Sequence, residues 1–282
     1  MGVSLPLVTD RGLADPSLTD PSLTDHGGGF AGRLRAAMAN GELSLVFQPQ
    51  TDTHTGALAG FEALARWRLP DGTAVPPAVF VPMAEETDAI HVLGEWALRR
   101  ACETAAGWRA QGTADVPVAV NLSGRQLDDP GLARLVLQTL AGTGLPADKL
   151  KLELTETALF THEETAHGTI AALRAAGVRL VLDDFGTGYS SLSHLRRLPV
   201  ETLKIDRHFV QSMVEDRDAA AIVHAVIALA HALGLTVTAE GVETAEQALY
   251  LRAFRCDRLQ GYHIARPLPA ADVPGFLRGL RS

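Results

Sequence analysis

Leu150-Lys-Leu-Glu-Leu154 and, one helical stretch later, Val178-Arg-Leu-Val-Leu-Asp-Asp184 decide how this chain folds. Strand side chains alternate between two faces, so the parity of each run can be read directly. Leu150, Leu152 and Leu154 share one face, and Lys151 and Glu153 the other. Val178, Leu180 and Leu182 oppose Arg179, Val181 and Asp183 in the same way. The division recurs in Gly60-Phe-Glu-Ala-Leu64, Val116-Pro-Val-Ala-Val-Asn121, Thr202-Leu-Lys-Ile-Asp206, Leu235-Thr-Val-Thr-Ala-Glu240 and Arg258-Leu-Gln-Gly261. Lys204 and Asp206 oppose Leu203 and Ile205, and Glu240 falls in register with Thr236 and Thr238. One parity is apolar; the other ends in an acid, an amide or a lysine. A barrel of parallel strands wrapped in helices brings such ends together at one mouth.

Helical segments at 95–111, 130–141, 161–176, 190–197, 218–233, 244–253 and 270–280 alternate with these runs, as parallel βα units require. Ahead of them, Phe30 to Asn40 reads as a helix stopped by Gly41. Leu43 to Gln50 and Ala57 to Trp67 read as strands joined by the turn-rich Thr51 to Gly56. That hairpin is an irregularity in an otherwise regular α/β barrel. Residues 1–29 hold the tandem Pro16-Ser-Leu-Thr-Asp20 and Pro21-Ser-Leu-Thr-Asp25, then Gly27-Gly-Gly29. With no helical or strand period they read as a flexible leader, leaving 30–282 for the barrel.

The 282 residues are ample for one closed core, and 46% hydrophobic with 21% charged is ordinary for a soluble globular protein. A formal net charge of −8 argues against a nucleic acid polymer as partner. An anionic substrate would need local neutralisation, which carboxylates provide only by holding cations. Cys102 and Cys256 form no disulfide framework and fit a reducing cytoplasm. Asp10 and Arg11 fall where a signal peptide needs an apolar core. The most membrane-like stretch, Ala219 to Leu235, is interrupted by His224 and His231 and is shorter than the roughly 20 residues a span needs. No membrane span is expected.

Glu62, Asn121, Glu153, Asp183, Asp184 and Glu240 collect at the strand ends. So many acids in a dry mouth are costly unless cations are bound. Hard oxygen ligands of this kind suit Mg²⁺ or Mn²⁺ rather than Zn²⁺. Two ions sharing one carboxylate of the Asp183-Asp184 pair would serve an in-line phosphoryl displacement. Competing motifs are missing. His162 and His167 are five residues apart and diverge on a helix, so they are not an HExxH site. There is no GxxxxGKS/T loop, and Gly186-Thr-Gly188 is too short for a dinucleotide fingerprint. A barrel glycosidase using two carboxylates is an alternative that needs no metal cluster.

The blocks Phe47-Gln-Pro49, Phe61-Glu-Ala-Leu-Ala-Arg-Trp67, Asn121-Leu-Ser-Gly-Arg-Gln126, Glu153-Leu-Thr-Glu156, Asp183-Asp-Phe-Gly-Thr-Gly-Tyr-Ser-Ser191, Lys204-Ile-Asp206, Ala239-Glu-Gly-Val-Glu243 and Gln260-Gly-Tyr262 follow one another in order. In these the chain resembles the EAL-domain family of cyclic di-GMP phosphodiesterases, over about residues 30–282. The resemblance implies a TIM-like (β/α)8 barrel with one antiparallel strand near the N-terminus. It implies hydrolysis of cyclic di-GMP to linear pGpG with two Mg²⁺ or Mn²⁺ ions per site. Glu62, Asn121, Glu153 and Asp183 would hold the first ion. Asp183 would bridge to a second held by Asp184 and Glu240. Glu62 and Glu240 thus join Lys204 as the catalytic set. Lys204 would orient the attacking water and stabilise charge, since a lysine among acids keeps its proton.

By the same resemblance Gln260 would help fix the water, and Gln48, Leu64, Arg66, Asp206 and Glu243 would meet the substrate. Arg66 is able to fork onto phosphate or stack on a guanine. Asp184 to Ser191 resembles a mobile loop anchored by Glu156, with Gly186 and Gly188 supplying backbone freedom. Asp88 stands where a glycine is common in the family. Homodimerisation is implied too. No cyclase, receiver, PAS-type or membrane sensor block is visible, so the input signal is either missing or comes from a sensory or cyclase partner protein. A non-catalytic sensor of the dinucleotide, or a protein-interaction module, is the alternative within the family.

Overall fold

The structure, a computed structural model, describes residues 29–161, 163–186 and 199–280. Among them ten strands form one sheet: β1 (Leu43–Asp52), β2 (Leu58–Arg68), β3 (Ala74–Val75), β4 (Val118–Asn121), β5 (Leu150–Thr155), β6 (Arg179–Phe185), β7 (Thr202–Ile205), β8 (Thr236–Ala239), β9 (Arg258–Gln260) and β10 (Leu268–Pro269). Eight of these close a ring in the order β1-β9-β8-β7-β6-β5-β4-β2, sealed by the β1–β2 pairing. From β2 through β9 the neighbours run parallel. β1 is antiparallel to both of its ring neighbours. This is a TIM-like (β/α)8 barrel with the one reversed strand expected from the hairpin.

The helices after the strands form an outer layer, and parity explains the core. Leu150, Leu152, Leu154, Leu180, Leu182, Leu203, Ile205 and Val237 face outward and pack with helix residues such as Val136, Leu173, Val223 and Ile227. The helix expected at 95–111 begins earlier, as Ile90–Ala110, because Ile90 and Leu93 extend its buried stripe. The segment expected at 161–176 holds two helices, Glu156–Thr161 and Glu163–Ala175. The helix Pro77–Glu86 is not among the expected segments; Pro76 precedes it, Pro77 opens it, where proline is favourable, and Pro82 lies inside it. The sequence reading also missed the short helices Gly124–Leu127 and Arg207–Ser212, which offer no apolar period of their own. The first helix begins at Gly29, one residue ahead of expectation. Residues 1–28 of the proposed leader, the helix at 190–197, His162 and most of the loop from Asp184 to Ser191 lie outside the described residues. No helix among the described residues is long and apolar enough to cross a membrane.

A second, smaller core lies beside the barrel. β2 pairs with β4 only across Phe61 to Ala63, and its remaining length rises past the mouth with β1. Phe30, Leu34, Leu43, Trp67, Phe80 and Leu93 pack around this extension. The Trp67 ring meets Phe80 edge-on at 5.7 Å and Phe30 at 6.0 Å. Its indole N–H donates to Glu42 at 3.1 Å, and Arg33 pairs with the same carboxylate. A buried acid is tolerable here because three donors meet it: Arg33, Trp67 and Asn40.

Candidate active site

The inward parity of the strands delivers Glu62 (β2), Asn121 (β4), Glu153 (β5), Asp183 (β6), Lys204 (β7) and Gln260 (β9) to one end of the barrel, with Glu240 following β8. Lys204, fully buried, is the hub. Its Nζ lies 2.8 Å from Glu153 Oε2, 3.2 Å from Glu62 Oε2 and 3.3 Å from Asp183 Oδ1, and it also pairs with Glu240 Oε1. Asn121 donates to Glu62 Oε1 at 2.8 Å, and Gln260 donates to Glu62 Oε2 at 2.6 Å. Gln260 also reaches Gln48 Oε1 at 3.4 Å.

Asp183 and Asp184 are adjacent, and in a regular strand their side chains would point to opposite faces. The β6–β7 register shifts between Leu182 and Phe185, and Asp184 adopts φ +54°. Aspartate tolerates this left-handed conformation better than most residues. The break in alternation brings carboxylate oxygens of Asp183, Asp184 and Glu240 within 4.8 Å of one another. At this corner Asp183 Oδ2 is buried and has no hydrogen-bond partner. An orphaned carboxylate oxygen among two further acids is what a divalent cation takes, so the donor set fits Mg²⁺ or Mn²⁺.

The electrostatics follow from crowding. Burial, then the charge of Glu62, pushes Glu153 well above the carboxylate range, against the pull of Lys204. Burial likewise raises Asp183 and Glu240 despite Lys204, and burial with the Asp183 charge takes Asp184 up to about 7. Glu62 differs: burial opposes its charge, but Lys204, Gln260 and Asn121 outweigh it and hold the carboxyl below its usual value. Burial works against the Lys204 charge too, and the carboxylates, Asp183 first, overcome it and raise its pKa well above normal. Lys204 is therefore a fixed ammonium.

The remaining expected residues form the rim. Leu64 and Arg66 share the strand parity of Glu62 on the rising part of β2, half-buried, with Trp67 on the opposite face locked into the second core. Asp206 caps the helix Arg207–Ser212 through His208 N at 2.8 Å, close enough for its charge to act on Asp184. Glu243 is exposed, and its Oε1 accepts from Gln211 at 3.0 Å. Glu156 is buried at the start of its helix and accepts from Gly186 N at 3.4 Å. Gly186 has φ +99°, and an added Cβ would lie 2.9 Å from the Phe209 ring. Asp88 has φ +56°, a left-handed conformation that glycine adopts most readily, and its carboxylate accepts from Arg125 at 2.8 Å.

One feature went unread in the sequence. Gln50 lies under Gln260, and its parity with Gln48 was the available signal. Lys151 is buried below the acids; burial, then the Arg258 charge, lowers it to about 8.

Fold and site together define an α/β-barrel protein with an acid-lined centre, organised by a lysine, at the C-terminal mouth of its strands. The EAL domain family model matches residues 31–267, and the chain belongs to that family. An uncharacterized signaling protein of Caulobacter vibrioides is 47% identical over 84% of this chain and 29% of its own length. The bifunctional diguanylate cyclase/cyclic di-GMP phosphodiesterase MucR of Pseudomonas aeruginosa is 42% identical over 85% of this chain and 35% of its own length. This chain thus spans about a third of the curated relatives it matches. A solved structure, the PaMucR phosphodiesterase in complex with c-di-GMP, superposes with a TM-score of 0.81 at 41% identity, covering 85% of this chain and 97% of that one.

Proposed function

We propose that this barrel hydrolyses cyclic di-GMP to linear pGpG in a reaction dependent on Mg²⁺ or Mn²⁺. The observation that carries the reading is Lys204 ringed by Glu62, Glu153, Asp183 and Glu240, beside the orphaned Asp183 Oδ2. Glu62, Asn121, Glu153 and Asp183 would hold one ion, and Asp183, Asp184 and Glu240 a second. Such ions, when bound, supply Lewis-acid activation of water and neutralise phosphoryl charge. The product carries a terminal 5′-phosphate, so water oxygen joins phosphorus, the P–O3′ bond breaks and the 3′ oxygen leaves with a proton. Lys204 keeps its own proton, donates hydrogen bonds toward the reacting oxygens and offsets charge that develops there. Gln260, held on Glu62, aids in placing the water. Gln48, Leu64, Arg66, Asp206 and Glu243 line the approach, with Arg66 suited to a phosphate oxygen or a guanine face. Glu156 holds Gly186 and so anchors the segment that follows Asp184.

The protein acts in the cytoplasm, as its two free cysteines suggest, and as a homodimer, which light scattering of the purified chain tests. The activity test is incubation with cyclic di-GMP and Mg²⁺, then Mn²⁺, resolved by chromatography. Formation of pGpG that stops with chelator is expected. Binding without product would replace turnover by sensing, and product formation indifferent to chelator would remove the metal role.

A further inference from the structure

We infer that Gln50 is a positioning residue for the phosphodiesterase reaction: it fixes which way the Gln260 amide points and thereby holds Glu62. The inference rests on the proposed function for its kinetic meaning and on the geometry for everything else.

Glu62 Oε2 is a carboxylate oxygen and only accepts. The Gln260 group 2.6 Å away must therefore be its NH₂, and its carbonyl Oε1 must face the other way. A carbonyl turned into a barrel interior needs a donor, because a buried unpaired oxygen costs most of its lost hydration. Gln50 supplies that donor, its Nε2 lying 2.8 Å from Gln260 Oε1. Both side chains are buried, at 2% and 3% exposure, so water is no substitute. The backbone sets up the contact: Gln50 and Gln260 are register partners across β1 and β9. Across β2 the partner of Gln50 is Gly60, where an added Cβ would lie 3.3 Å from Gln50 Oε1 and 3.2 Å from Pro117 O. The glycine leaves the slot in which the Gln50 side chain lies.

The chain of donors runs one way, from Gln50 to Gln260 to Glu62. A flipped Gln260 would point its carbonyl at a carboxylate held ionised by Lys204 and Asn121, which repels it. Gln50 makes that flip unfavourable from the far side and touches none of the acids itself.

The test uses the whole chain with Gln50→Met and Gln50→Glu. Methionine keeps the bulk and removes the donor. Ionised glutamate offers only acceptors, so it favours the flip, whereas protonated glutamate regains one donor. The expected result is a loss of about tenfold in kcat for Gln50→Met, with KM within about twofold of wild type, the lower end of what loss of an outer-shell hydrogen bond typically costs, since Gln50 acts on Glu62 through Gln260. Gln50→Glu should lose more than Gln50→Met at pH 8.5 and less than Gln50→Met at pH 6.5, each rate taken relative to wild type at the same pH. Mn²⁺ affinity, read by electron paramagnetic resonance without nucleotide, should weaken in both variants. Wild-type kcat and wild-type Mn²⁺ affinity in both would overturn the inference. So would a kcat loss that merely follows the melting temperature with no difference between the two pH values. If the wild-type chain forms no pGpG, the phosphodiesterase reading fails on its own. Mn²⁺ affinity then decides for Gln50: weaker in both variants supports positioning, unchanged rejects it.

Discussion

Lys204 Nζ lies 2.8 Å from Glu153 Oε2, with neither group open to solvent, so the ammonium occupies the place where the acids find their counter-charge. A cation that binds the same carboxylates takes over part of that duty. Lys204→Met should therefore destabilise the chelator-treated protein by about 3–5 kcal/mol, the usual cost of breaking a buried ion pair from one side. Saturating Mn²⁺ should recover most of that loss, while turnover stays down by about a hundredfold or more. Calorimetry with and without Mn²⁺ checks this; an equal stability loss in both conditions rejects the shared role.

Asp183 and Glu62 should part company when neutralised. Burial raises Asp183, so Asp183→Asn relieves the metal-free protein and leaves its melting temperature equal or higher. Glu62 is held ionised by Lys204, Gln260 and Asn121, so Glu62→Gln should lower it. On the proposed metal reading both substitutions should cut turnover by about a hundredfold or more, since each replaces an anionic carboxylate oxygen by an amide nitrogen that holds no cation. Identical melting shifts for the two would contradict the electrostatic assignment.

The acids that burial raises bind protons more tightly folded than unfolded. Their favourable contribution is complete below the unfolded carboxylate values and is lost as pH rises through the folded ones, about 7 for Asp184. The metal-free protein should thus weaken from pH 6 to pH 8. Mn²⁺ displaces those protons, so the melting shift it causes should grow over the same interval. Titration calorimetry in buffers of differing ionisation heat should show proton release near pH 6.5. A metal-induced shift that does not vary with pH would count against it.

Glu156 ties the start of its helix to Gly186 N. Glu156→Ala should lower turnover by about tenfold by releasing the backbone after Asp184 rather than by deleting a ligand. Hydrogen exchange at the Gly186 amide should accelerate in parallel. Unchanged exchange with unchanged rate would dismiss the anchor.

Glu42→Gln leaves Arg33 buried without its counterion and should cost about 3 kcal/mol. Burial opposes the Glu42 charge, but Arg33, Trp67 and Asn40 outweigh it and hold the carboxyl low. The stability it adds is present above the unfolded carboxylate value and is lost as pH falls through the folded one. Denaturant midpoints at pH 7 and pH 3 should differ less in Glu42→Gln than in wild type.

The barrel was legible because a period of two survives in every core strand: Leu150, Leu152 and Leu154 against Lys151 and Glu153 leave one arrangement that buries the first set and gathers the second. The strand-end acids were legible for the same reason. The geometry of Asp184 was not, since a positive φ in one aspartate leaves no periodic trace. The helix Pro77–Glu86 was hidden by its prolines, of which Pro77 opens it and Pro82 lies inside it. Gln50 was hidden because its value lies in a register across β1 and β9, and a contact between positions 210 residues apart is invisible to local pattern.

The small core around Trp67 and Phe80 is separate from the core of the barrel, and the two sides of the site divide between them. The acids stand on strands rooted in the large core; Arg66 stands on the hairpin extension that the small one clamps. Cores of unequal size open with unequal free energy. On warming or in mild denaturant, the part of nucleotide affinity that Leu64 and Arg66 supply should fade before cation affinity, through partial melting of the hairpin extension. On the proposed function, the arm that carries Arg66 would then loosen at a lower temperature than the strands that carry the acids.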